Sequence, residues 1–380
     1  MVLAPVHQRA QEWSFLQALS VLDGRPGAHD AARALAETEL DFDYLTVQAL
    51  RHHLAPAMWR FLVDNGIENR LSDPVLASFG SLAQICDYRT EELIDEASRV
   101  ADAMAAAGAR LAFTKGVVNQ STLYDNSGTR VMADIDLMIP PDSTAIITET
   151  LTSLGYSVAK EYDARTNSLV DLPRSRRMVY RMYPDHLPHF TKLTGNRAQP
   201  LIEIDVAFSL TWFSSAWQIP MDAVLRDLDS VLVRPGRSDR TLPTLTPAYS
   251  LLFIVLHLFR EAWFITKKPV RLNQFADVVR LWRRIGANHA SEIIKVVEDN
   301  GVGPAVGWVC HHVDAMFDTD MAATLGTERY AEPRWLTSGV AEDGSFVQWH
   351  GDMRARLAGG EPVIFTPAGE PPFGAAARGR

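Results

Sequence analysis

The chain has 380 residues, 47% of them apolar and 22% charged, with 46 acidic against 37 basic side chains and a formal charge of −9. This composition can bury a sizeable core in two or three compact units and excludes an intrinsically disordered chain. It also argues against long nucleic acid as a partner, because neutralising a phosphate backbone needs clustered positive charge.

The start of the chain, MVLAPVHQRAQEW, lacks the charged start and continuous apolar run of a secretory signal. Two cysteines, Cys86 and Cys310, give no disulfide framework and suit a reducing compartment, so a cytoplasmic location is expected. From Gln8 to about Gln84 the pattern is helical: Trp13, Leu16, Leu19 and Leu22 recur at intervals of three, and Pro26 and Gly27 break the first segment. A helical N-terminal lobe over residues 1–86 is expected. His52 and His53 are adjacent on one of its helices and do not share a face, which argues against a metal site there. A further helix is expected from Tyr88 to Ala107, with Thr90 as N-cap, Glu91 and Glu92 in the first turn and Gly108 as the stop.

That helix leads into RLAFTKGVVNQSTLYDNSGTRVMADIDLMI, residues 110–139, where most of the chemistry lies. Leu111 to Thr114 reads as a strand that breaks at Gly116, with a helix-like segment from Val117 to Tyr124. A glycine there lets a ligand approach the backbone, the first helical amides can receive a phosphate, and Lys115 adds positive charge. In ADIDLMI the apolar Ile135, Leu137 and Ile139 alternate with Asp134, Asp136 and Met138, the two-residue period of a strand with one buried face. Asp134 and Asp136 therefore leave the same face about 6.6 Å apart, close enough to converge on one or two divalent cations. A helix follows, with Asp142 or Ser143 as N-cap and Gly155 as stop. LIEIDVAFSL alternates again and offers a third carboxylate, Asp205 or Glu203.

The order of these pieces resembles the DNA polymerase beta-like nucleotidyltransferase superfamily. TKGVVNQSTLYDNSGTRVMADIDLMI is most similar to the bacterial uncharacterised nucleotidyltransferase family, whose members read K-G, Y, R, D-I-D-L and a helix ending in G-Y. Here Leu154, Gly155 and Tyr156 close that helix. The resemblance implies an α+β fold, a mixed sheet flanked by helices, with helical regions on either side of a core over residues 87–235. It implies a metal-dependent enzyme that moves a nucleoside monophosphate from a nucleoside triphosphate to an acceptor and releases pyrophosphate. Asp134, Asp136 and Asp205 would hold Mg²⁺ or Mn²⁺, with Asp205 preferred to Glu203 because it holds the family position. Lys115, Gly116 and Arg130 would contact the triphosphate. The acceptor would be a small molecule or a peptide or protein side chain. Alternatives are a toxin-type transferase acting on tRNA or protein, and a catalytically silent binding or scaffold protein. The chain departs from the pattern at Val117, where the superfamily's turn usually carries Ser or Gly. It departs again after Asp205, where the family often continues D-x-H-W and this chain has Val206, Ala207 and Phe208.

Between Ser157 and Leu201 antiparallel strands and a long excursion are expected, carrying Arg174, Arg176, Arg177, Arg181, Lys192 and Arg197. Arginine matches phosphate bidentately, so this excursion reads either as a positive flap over the nucleotide or as a solvated face. His186 and His189 lie in it, as ordinary loop or strand histidines or as a catalytic base. VRPGRSDRTLPT reads as a linker. Residues 242–331 are expected to form a helical C-terminal domain. Within it Thr246 caps a helix with Pro247 in its first turn, and PAYSLLFIVLHLF is shorter than the roughly 20 residues a bilayer requires. His257, Arg260 and Asp277 sit on its first helices; in the resembling family a similar helix pair packs beside the active site, and its His and Asp recur. Cys310, His311 and His312 point in different directions on a helix and make a poor metal site. Residues 332–380, rich in Gly, Pro and Arg, read as a tail whose last dozen residues are mobile.

Overall fold

The computed structural model describes residues 9–22, 27–124, 128–182, 185–213, 215–233, 239–266, 269–358 and 363–373, without the side chains of residues 179, 181, 182 and 287. The chain forms two compact units. One comprises Met1–Ala83, Ser214–Trp217 and Leu251–Arg380, and the other Gln84–Phe213 and Gln218–Ser250.

The second unit is built on a seven-stranded mixed sheet. Its strands are β1 (Ala112–Thr114), β2 (Ile135–Met138), β3 (Ser157–Val158), β6 (Phe190–Leu193), β7 (Leu201–Ala207), β8 (Leu228–Val233) and β9 (Arg240–Leu245). A separate hairpin, β4 (Lys160–Asp163) with β5 (Ser168–Asp171), lies between β3 and β6 in sequence. The sheet order is β3-β6-β7-β2-β1-β9-β8. β2 runs antiparallel to β1 and parallel to β7, and β6 runs antiparallel to β7. Alternation places Ile135, Leu137, Ile202, Ile204, Val206 and Phe190 in one buried layer with Leu93, Ile94, Ala97 and Val100 of a long helix. The opposite face of the same strands is thereby left to the polar residues.

That helix, α1 (Asp73–Ala106, 34 residues), differs from the expected break before Thr90. No Gly or Pro lies between Ile85 and Ala106 to stop it, and Thr90 is buried in mid-helix rather than capping. The stretch read as a linker also differs, because Arg240–Leu245 is a sheet strand. It pairs antiparallel with β8 and, at Thr244, parallel with Phe113 of β1. The helix α2 (Lys115–Leu123) follows β1 directly, α3 (Thr144–Ser153) follows β2, and α4 (Arg174–Met182) precedes β6. The LYDNSGTR stretch is pinned at Gly128: φ is +66°, and a Cβ there would fall 1.8 Å from Asp87 Oδ1, so only glycine fits. Its residues 125–127 lie outside the described residues.

A buried ion cluster ties α1 to the sheet. Glu96, 1% exposed, accepts a 2.8 Å hydrogen bond from Tyr156 Oη, pairs with Arg99 at 2.6 Å and receives Lys192 Nζ, which also lies 4.6 Å from the centre of the Tyr156 ring. Burial, reinforced by the Glu96 charge, pushes the Tyr156 phenol well above its ordinary value. Of the basic residues in the excursion, Lys192 is therefore structural. Removing one partner of such a cluster leaves a buried charge poorly compensated, so Lys192→Met should lower unfolding free energy by about 3 kcal/mol. Chemical denaturation checks this, and a change under about 0.5 kcal/mol would contradict it.

The helical unit contains the four helices Ala10–Ser20, Ala28–Ala36, Phe42–Arg51 and Ala55–Asp64 and the long helices Leu272–Asp299 and Gly303–Phe317. Its core is aromatic: Phe259, Trp263, Trp308, Trp335 and Trp349 are each at most 1% exposed. Two of these tryptophans come from the segment read as a tail. That segment forms a three-stranded antiparallel sheet over Ser338–Val340, Phe346–Trp349 and Phe365–Pro367, and residues 374–380 lie outside the described residues. His52 accepts the Leu272 amide proton on Nδ1 at 3.1 Å, and burial lowers its pKa to about 3. His312 meets Leu336 O at 2.9 Å beneath the Trp308 ring and is likewise lowered to about 3 by burial. Both are core histidines. Both cysteines are free and buried, and no helix among the described residues is long and apolar enough to cross a membrane.

Candidate active site

The polar face of the sheet carries its charge at the β1-β2-β7 junction. The parallel register pairs Asp136 directly with Asp205, and the antiparallel register pairs Asp136 with Thr114. Paired residues on neighbouring strands share a face, so these three side chains lie side by side. Asp134 precedes β2 by one residue. The register thus puts Asp205, not Glu203, beside Asp136.

Lys115 closes the cluster. Its ammonium lies 2.6 Å from Asp136 Oδ1, with both side chains largely buried. Burial works against its charge, but the attractions of Asp136, Asp205 and Asp134 outweigh it and raise its pKa above the ordinary lysine value. Its backbone is in the left-handed region, φ +46°, which a non-glycine residue adopts at a cost of order 1–3 kcal/mol. The sharp turn expected at Gly116 is therefore made one residue earlier. Gly116 is buried, and a Cβ on it would stand 3.4 Å from Met132 Sδ and 3.5 Å from Arg130 Nη1, which brings Arg130 to the start of α2.

Negative charge exceeds what these cations neutralise. The Asp136 charge, then burial, with a smaller contribution from Asp205, push the Asp134 carboxyl up to about 7, against the opposing pull of Lys115 and Arg130. One oxygen of Asp205, Oδ1, is buried and has no hydrogen-bond partner, and the Thr114 hydroxyl is buried and unpartnered as well. Among the described residues no three His, Cys, Asp or Glu side chains already converge as a metal site. The donor set nonetheless fits a hard divalent cation: carboxylate oxygens on adjacent strands, one of them unsatisfied, with mutual repulsion to relieve.

The raised Asp134 value has a consequence for stability. The native state holds a proton that the unfolded chain, with a carboxyl near 3.8, releases earlier. This group therefore favours the fold fully below about pH 4, and the contribution is lost as pH rises through about 7. Denaturant unfolding of metal-free protein at about pH 5 and about pH 8 should show lower stability at the higher pH, and Asp134→Asn should shrink the difference. Identical differences in both proteins would contradict the assignment.

The side of the cluster next to β6 carries two histidines and a tyrosine. His189 Nε2 stands 3.8 Å from Asp205 Oδ1. His186 bridges Ala207, and the rings of Tyr180, His186 and His189 lie with centroids 5.3 to 6.3 Å apart. Position 207, where the resembling family often has His, thus has His186 across the strand pair. Arg174, Arg176 and Arg177 lie on the exposed surface of α4, Arg176 paired with Glu161 at 2.6 Å, and the Arg181 side chain lies outside the described residues. His257, Arg260 and Asp277 belong to the helical unit. Thr114 is the residue the sequence reading passed over; its signal was the alternation of LAFT, which puts it on the Asp136 face.

A mixed sheet flanked by helices, with carboxylates gathered on two adjacent parallel strands, is the nucleotidyltransferase fold. A family model described as uncharacterised nucleotidyltransferase matches residues 38–318, and the chain belongs to that family. A search of curated proteins found no match.

Proposed function

We propose that the protein transfers a nucleoside monophosphate from a nucleoside triphosphate to a small molecule or to a peptide or protein side chain, releasing pyrophosphate. The observation that carries this reading is the direct pairing of Asp136 with Asp205, with Asp134 beside them and its charge suppressed by theirs. Asp134, Asp136 and Asp205 would hold Mg²⁺ or Mn²⁺. Bound there, such ions neutralise charge on the transferring phosphoryl group and align the attacking and leaving oxygens.

The protein's own groups supply the rest. Lys115 and Arg130, at the start of α2, offer two cations to a triphosphate, and the first amides of that helix add donors. Burial of Asp136 and Thr114 keeps water from screening these charges. In phosphoryl transfer the protein mainly positions reactants and stabilises charge, and this arrangement does both.

A second reading, a silent scaffold of the same fold, draws on one observation: Lys115 already satisfies Asp136. Thermal unfolding with each of the four nucleoside triphosphates, with and without Mn²⁺, combined with a pyrophosphate assay, separates the two. The enzyme reading predicts a metal-dependent rise in Tm with at least one nucleotide and pyrophosphate release with the same one. A Tm shift without any release favours the scaffold, and no shift with any nucleotide refutes nucleotide binding.

A further inference from the structure

We infer that His186, oriented by Asp185, is the base that deprotonates the acceptor, and that the acceptor group is therefore one with a proton to give up, such as a hydroxyl, and not an anion. The inference rests on the transferase reading above and assigns the part of the site which that reading leaves open.

Alternation fixes the direction in which His186 faces. Leu187 and Phe208 pack against the apolar layer under the sheet. His186 and its bridge partner Ala207 therefore point the other way, and Ala207 shares that face with Asp205 two residues before it. The backbone holds this register on both sides, with the Leu187 amide donating to Val206 O at 2.9 Å and the Phe208 amide donating to Asp185 O at 3.2 Å.

The imidazole is also held in one orientation. Its Nδ1 lies 2.7 Å from Asp185 Oδ1, and Asp185 Oδ2 accepts the Phe213 amide proton at 3.2 Å. A carboxylate facing Nδ1 keeps the proton on that nitrogen and leaves the Nε2 lone pair free to accept another. Tyr180 packs edge-on against the ring at 5.3 Å and limits its rotation.

The order of strands gives the base its side of the reaction. Lys115, Gly116 and Arg130 sit at the β1 side of the carboxylates, and His186 and His189 at the β6 side. In an in-line displacement the nucleophile enters opposite the departing pyrophosphate. With the triphosphate at α2, the acceptor enters past β6, where His186 stands. As the acceptor oxygen bonds to the α-phosphorus, its proton passes to His186 Nε2. The bond from the α-phosphorus to the oxygen bridging to the β-phosphate breaks, and its electron pair leaves with pyrophosphate. The imidazolium so formed faces Asp185 and, being 32% exposed, returns its proton to water. An acceptor that is already an anion would not need this group.

The test uses the full chain with Mn²⁺, the nucleoside triphosphate that raises its Tm, and glycerol as a plain hydroxyl acceptor. His186→Ala should lower the rate of pyrophosphate release about 100-fold or more. It should leave the nucleotide-induced Tm shift intact and recover activity when imidazole is added to the buffer. Asp185→Asn should lower the rate as well, and long-range nitrogen–proton NMR should show His186 protonated on Nδ1 in the wild type and not held so in that variant. A variant lacking His186 that works at the wild-type rate, or that is slow and unaffected by imidazole, overturns the base. So does a wild-type ring protonated on Nε2. Wild-type protein that releases no pyrophosphate with any nucleotide overturns the transferase reading and the base together.

Discussion

Asp136→Asn is expected to abolish pyrophosphate release, by about 10³-fold or more, while the protein stays folded. Asp136 stands at the centre of the polar face: it is paired with Asp205 on one side and Thr114 on the other, and it holds Lys115 at 2.6 Å. Asparagine has the same shape and keeps the strand register, so the loss falls on charge. A metal-held transition state owes several kcal/mol to that charge, and each 1.36 kcal/mol is a factor of ten in rate. Stability at neutral pH should change little. The Asp136 charge is the largest influence raising the Asp134 carboxyl, so its removal lets Asp134 ionise at lower cost and, with Asp205, stand as the countercharge to Lys115. A variant that is inactive yet close to wild-type stability in metal-free buffer is the signature of a functional carboxylate. A variant retaining more than about a tenth of wild-type turnover would show that Asp136 is not part of the machinery.

The second large effect concerns Lys115. Without a bound cation this side chain is the ion paired with Asp136, and it is held there despite burial and a left-handed backbone. Lys115→Met removes the countercharge from three gathered carboxylates. The metal-free variant should lose about 3–5 kcal/mol at neutral pH, the cost of leaving a buried charge unpaired. Mn²⁺ should restore most of it by linkage, because the cation binds only the folded state. The variant should also bind Mn²⁺ more tightly than wild type in the absence of nucleotide, since no ammonium competes for Asp136, and should bind triphosphate more weakly. Equal Mn²⁺ affinity in the two proteins would mean that Lys115 does not occupy the cation position.

Much of the sheet was legible because one of its faces is buried. On β7 Ile202, Ile204 and Val206 alternate with less buried neighbours as that period requires, whereas on β2 both faces are buried, Asp136 and Met138 as well as Ile135 and Leu137. Local pattern does not encode which strands are neighbours. That Asp205 stands beside Asp136 follows from a parallel pairing across some 70 residues of chain, and before the structure it rested on family resemblance alone. The sequence left His186 and His189 open as ordinary histidines or as a catalytic base, because their place beside Ala207 and Asp205 depends on how the chain before β6 registers against β7. The linker expectation for residues 233–244 rested on their turn-rich composition. In the sheet Pro243 pairs with Ser230, and its neighbour Thr244 pairs with Phe113. The break expected before Thr90 was a capping signal overridden by burial of the helix against the sheet. The C-terminal segment misled through its Gly and Pro content, while the residues that decided its structure were two tryptophans, Trp335 and Trp349, buried in an aromatic core.

The central claim is that three carboxylates from two adjacent parallel strands form one cation site. Mn²⁺ titration followed by electron paramagnetic resonance measures it without reference to acceptor or turnover. Wild-type protein with nucleoside triphosphate should bind Mn²⁺ saturably, and Asp134→Asn, Asp136→Asn and Asp205→Asn should each weaken binding by at least about tenfold, a loss of 1.4 kcal/mol. Wild-type affinity in the Asp205→Asn protein, or no saturable binding in the wild type, would contradict the account.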